Sequence, residues 1–124
     1  LILRGRIRLL LGDREGARAD NETAAAFAPQ DPRIANNLAW LAVLAGDDAE
    51  QALVLAQRAF EAEDSPASRD TLAAALALMG RFDEALTLLE PLGTEAAPAG
   101  VLARQEAYRA GRAWSWDDER QLLD

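Results

Sequence analysis

The chain has 124 residues, half of them hydrophobic and many of those alanine, with a formal net charge of −8. That length holds one domain with a core; abundant Ala, Leu, Glu, Arg and Gln favour helix, and scarce β-branched and aromatic residues disfavour sheet. With no cysteine and no histidine the chain has no disulfide, no thiolate nucleophile and neither the commonest general base nor the commonest metal ligand, and its acidity disfavours nucleic acid.

All thirteen basic residues are arginine, so any anion contact is a guanidinium fork. No apolar run approaches the ~18 residues that span a membrane. The opening LILRGRIRLLLGD is broken by Arg4, Arg6 and Arg8 and is no signal-peptide core. It starts in mid-pattern without Met, which leads us to expect a piece of a longer protein. Composition fits a soluble chain of the cytoplasm or the periplasm and chooses neither.

In chain order, Leu3, Ile7 and Leu10 make a helical stripe that ends at Gly12, although the alternating arginines also fit a strand. A partner helix from Arg14 to Ala28 carries Asp20 and Asn21 where later units are apolar, so this pair is expected to be loose. Next, Ile34, Leu38, Leu41, Ala42 and Ala45 mark a helix over 32–45, with Asp31 as N-cap, Pro32 in its first turn and Gly46 as its stop. Ala52, Leu55, Ala56, Ala59 and Phe60 mark its partner. Ser65 and Pro66 open a third pair, with Leu72, Ala75, Leu76 and Met79, then Phe82, Ala85, Leu86 and Leu89. Pro91 and Gly93 break the last of these early. A helix is expected over roughly 97–110, then a short one capped by Ser115 with Asp118 three residues on. Loops this short join antiparallel hairpins.

Gly12, Gly46 and Gly80 are spaced by 34 residues, as are Pro32 and Pro66, and Leu38 and Leu72. The units run about 1–31, 32–65 and 66–94, followed by an irregular cap over about 95–124, in which Gly111 falls out of register. Together they make one domain.

A 34-residue helix-turn-helix unit resembles the tetratricopeptide repeat of bacterial proteins. The second unit supplies Leu38, Ala39, Gly46, Ala52 and Ala59; the third supplies Leu72, Ala73, Gly80, Phe82 and Ala85; the first supplies Gly5, Gly12, Ala17, Ala24 and Pro29. The phrase NNLAWL is similar to a variant frequent in that family. The match covers about residues 1 to 92. One extra residue lies between Gly46 and Ala52, and Leu92 stands where the third unit's late Ala belongs. The resemblance implies an all-α, right-handed superhelical stack of antiparallel hairpins. Its first helices line a concave groove that binds peptides or proteins, without catalysis and without a cofactor.

A second stripe on helix 32–45 holds Arg33, Asn36 or Asn37, Trp40, Val43 and Leu44. As a binding patch it offers an aromatic anchor, a charge and amides that grip a peptide backbone. As packing, Trp40 fills space between neighbouring helices, with Ala74 small enough to receive it and Arg6 placed to stack on the indole. The candidate partner-binding residues are Arg6, Arg33, Asn36, Asn37, Trp40 and Asp70. Some relatives clamp acidic tails with basic and Asn side chains. Asn37 matches that pattern, but Ala67, Thr71, Ile2 and Arg6 do not.

Arg4 and Arg8 form a solvated edge or an anion site. Leu1, Ile2, Leu9, Leu10 and Leu11 exceed what one hairpin buries, so Leu9 and Leu10 are candidates for self-association or for stacking on further repeats of the parent chain. Under that alternative the module is a structural spacer. Trp114 and Trp116 are read as a terminal lid, or as a docking element. The acidic clusters fall at turns and helix starts and lack the spacing of a calcium loop. No phosphate loop or nucleophile elbow is present. The expected function is a non-catalytic interaction module for a protein or peptide, without nucleic acid and without membrane insertion.

Overall fold

The computed structural model describes residues 31–46, 48–92 and 100–123, together with the single residues Gly16, Ala19 and Thr23. Those three are helical, in keeping with a helix over 14–28. Arg6, Leu9 and Leu10 lie outside the described residues.

The chain is all-α. Its elements are α1 (Pro32–Ala45), α2 (Ala49–Ala62), α3 (Pro66–Leu78), α4 (Phe82–Leu89), a 3-10 turn (Glu90–Leu92), α5 (Val101–Arg109) and α6 (Trp116–Leu123). The expected start and stop residues act as such. The Asp31 carboxylate accepts the Arg33 N–H at 2.9 Å, and Pro32 enters the first turn, where no N–H is needed. Gly46 closes α1 at φ 69°, donating its N–H to the Ala42 carbonyl. Ser65 and Ser68 form a reciprocal cap on α3: each hydroxyl accepts the other's backbone N–H, at 3.1 and 2.9 Å. Pro91 has no N–H to continue α4, and the chain tightens there into the 3-10 turn.

α1 packs on α2, and α3 on α4, through connections too short for anything but a return. α3 also packs on α1 and α2, and α5 joins α3 and α4. Small side chains let the helices approach closely: Ala39, Ala52, Ala56, Ala73, Ala74, Ala75 and Ala85 have no exposed surface. Leu38, Leu41, Val43, Leu44, Leu76 and Leu89 fill the space between them, each contributing about 1.5–3 kcal/mol by leaving water. Val43 and Leu44, from the second stripe of α1, are thus core residues.

The centre of the molecule is α3. Every residue from Asp70 to Ala77 is buried, more than two turns with no solvent-facing side. Helix pairs alone leave one side of such a helix bare. Here the tail contributes to the cover: α6 packs against α1, and Trp114 belongs to the buried core. The tail follows a turn at Gly111, which takes φ 73° while the Arg112 N–H donates to the Ala107 carbonyl at 2.9 Å.

Candidate partner-binding face

The candidate residues divide between two places. Arg33, Asn36 and Asn37 on the first turns of α1 line an open cleft of about 570 Å³. Its opposite side is made by Ala59 and Glu63 at the end of α2, and by Ser65, Pro66, Ala67 and Ser68 at the start of α3. Arg33 and Asn37 are exposed, and Asn36 is half-buried. The Asn36 Oδ1 is buried with no hydrogen-bond partner. The polar residues that opened an otherwise apolar helix therefore border a cleft, not the core.

Trp40 and Asp70 belong to the second place, a buried hub around Arg104. The Arg104 guanidinium donates from Nε to Asp70 Oδ1 at 2.8 Å and from Nη2 to Oδ2 at 2.5 Å. That is the bidentate geometry in which arginine binds a carboxylate best. Its Cζ lies 5.1 Å from the Trp40 ring centre and 5.3 Å from that of Trp114, within cation–π reach of both. The Glu119 carboxylate stands 4.0 Å from Nη1 and accepts the Trp114 indole N–H at 2.8 Å. Arg104 is only 1% exposed, so each of these contacts acts out of water.

Burial pushes the Asp70 carboxyl above its ordinary range; the Arg104 fork pulls the other way, and the Glu119 charge adds to the rise. Burial, reinforced by the Asp70 charge, also pushes the Tyr108 hydroxyl up, so it stays neutral. Its oxygen has no hydrogen-bond partner. Gly100, at φ 88°, lies against the hub: a Cβ there would sit 2.5 Å from Leu122 Cδ1 and 2.6 Å from Arg104 Nη1.

Comparisons with protein-family models, curated proteins and solved structures find no match. Geometry alone therefore carries the functional reading. Among the described residues no cluster of acidic side chains is placed to hold a metal ion, and no helix is long and apolar enough to cross a membrane.

Sequence reading passed over Arg104, yet a signal was present. Asn36, Asp70 and Arg104 follow one another at 34-residue intervals, as do Trp40, Ala74 and Tyr108. α5 thus enters in register with α1 and α3, and Gly111 fell out of step because α5 ends early. The partner foreseen for the Trp40 indole was Arg6; the guanidinium that stacks there in the described structure is Arg104. Trp114 is 4% exposed, as a lid residue would be, and Trp116 is partly buried against the core. The Ser115 cap forms: Asp118 accepts the Ser115 N–H at 2.9 Å, and the Ser115 hydroxyl accepts the Asp118 N–H at 3.3 Å.

Proposed function

We propose that this chain is a non-catalytic interaction module of tetratricopeptide type, which holds a peptide or protein segment along the face shared by α1, α3 and α5. One observation carries the reading: a stretch of polypeptide is already seated there, since α6 packs against α1 and Trp114 is buried beside Arg104. The 34-residue interval supports the family assignment, because it relates side chains on three successive first helices as well as the turn glycines. The open cleft lies at the start of α1 and α3, and its exposed Arg33 and Asn37 offer a charge and an amide to a passing backbone. Interfaces of this kind draw most of their affinity from a few aromatic and arginine anchors.

The test is capture from the source lysate with the full chain and with an Arg33→Ala/Asn37→Ala version whose helicity is checked by circular dichroism. Both residues are exposed, so the fold should survive. Partners held by the first and lost by the second support the reading. Partners held equally by both overturn it. Recovery of the chain alone would favour self-association, and Leu9→Glu or Leu10→Glu should then restore the monomer.

A further inference from the structure

We propose that residues 112–123 are a built-in occupant of the partner site, and that the partner displacing them presents an aromatic residue followed one to two turns on by a carboxylate. This rests on the interaction-module reading and specifies its ligand.

The tail is attached as a ligand is, by one anchor and a charge. Trp114 is buried, but none of the described side chains of α6 is. Asp117 is 76% exposed and Leu122 45%. The helix also supplies its own cap through Ser115 and Asp118, which supports its first turn locally. The hinge is Gly111, whose positive φ turns the chain and around which nothing crowds. Releasing the tail gives up one buried indole, the contact between Glu119 and Arg104, the partial burial of Trp116 against the core and the packing of α6 on α1.

What the tail would leave behind is a formed receptor. Asp70 fixes the Arg104 guanidinium in its plane, and Trp40 stays beside it. The vacated position had held a ring against the guanidinium and a carboxylate near Nη1. A replacement must offer the same two groups. In the tail they are Trp114 and Glu119, and that spacing defines the partner motif.

The probe is a fluorescein-labelled peptide of residues 111–124, GRAWSWDDERQLLD, titrated into the full wild-type chain and into full-length Trp114→Ala. In wild type the tethered tail competes, which raises the apparent Kd by the fraction of time the site is closed. Trp114→Ala should therefore bind the peptide about tenfold tighter or more. A peptide carrying Ala for its first Trp should bind neither chain. No binding to a folded Trp114→Ala chain overturns the proposal, and so does equal binding to both chains. If Trp114→Ala does not fold, Ser115→Ala/Asp118→Ala loosens α6 without touching the core; it should show a smaller gain, and no gain overturns the proposal. A wild-type chain that dimerises with rising concentration, and becomes monomeric with Trp114→Ala, also overturns it, because the occupant would then be exchanged between copies. If the peptide fails while lysate partners still depend on Arg33 and Asn37, the interaction-module reading stands and only this inference falls.

Discussion

Arg104 ties together segments far apart in the sequence: Trp40 on α1, Asp70 on α3, Trp114 before α6 and Glu119 within it. The energetics of such a centre are asymmetric. Removing one member of a buried ion pair strands the other charge, at a cost of about 3–5 kcal/mol, whereas an apolar pair of similar volume is often neutral. Asp70→Ala and Arg104→Ala should each lose about 3–5 kcal/mol in urea unfolding. Asp70→Leu with Arg104→Met should recover most of that loss, since neither change then leaves a bare charge. If the double variant were as unstable as the singles, the ring contacts and not the fork would be the main support.

At the scale of elements, the tail's docking depends on a helix of eight residues, too short to persist on propensity. Its cap is the local support. Burial tends to raise the Asp118 carboxyl, but the Ser115 N–H and hydroxyl and the Arg112 guanidinium outweigh it and hold the group below its ordinary value. A lowered carboxylate stabilises the native state above the ordinary Asp range, and that contribution fades as pH falls through the lowered value. Backbone amides of 115–123 should therefore lose protection in that acid window. Asp118→Asn should lower their protection at neutral pH, at a cost of about 1 kcal/mol, and remove the acid step. An unchanged step in Asp118→Asn would place the titration on another group. Asp70 behaves in the opposite sense. Its raised carboxyl takes up a proton sooner in the folded chain than in the unfolded one, so its contribution to stability is full in acid and declines as pH rises through the folded value.

Across the whole molecule, stability should fall from the centre to the tail. α3 is enclosed over Asp70 to Ala77, while α6 has no buried residue among its described side chains. Native-state amide exchange should be slowest in α3, intermediate in α1 and α5, and fastest in α6; uniform protection would mean that the tail opens only with global unfolding. How much of this was legible in the sequence follows from range. Helix bounds such as 32–45 were readable because Asp31, Pro32 and Gly46 act on neighbours within a turn. The 34-residue interval was readable because glycine and proline mark it. The destination of the tail was not, since α6 against α1 is a contact between residues far apart, and periodicity reports a helix's faces without saying what covers them. The division of the candidate residues into cleft and hub was hidden for the same reason: Asn36 and Trp40 are one turn apart, and only the tail closes over the second. The Asp70–Arg104 pair was half visible, its interval present but its opposite charges unread across an apparently irregular cap.

The two indoles that share the Arg104 guanidinium have an optical consequence. The chain contains only three tryptophans, and two of them report on this one cation. Trp114 emits from a buried site with its N–H held by Glu119, so departure of the tail would move that emission to the red and relieve any quenching by the adjacent groups. Trp40 would keep its cation but lose the cover of the tail, so its emission would move in the same direction. Occupancy of the site can thus be followed in the unlabelled protein, in real time and at the concentrations at which it works.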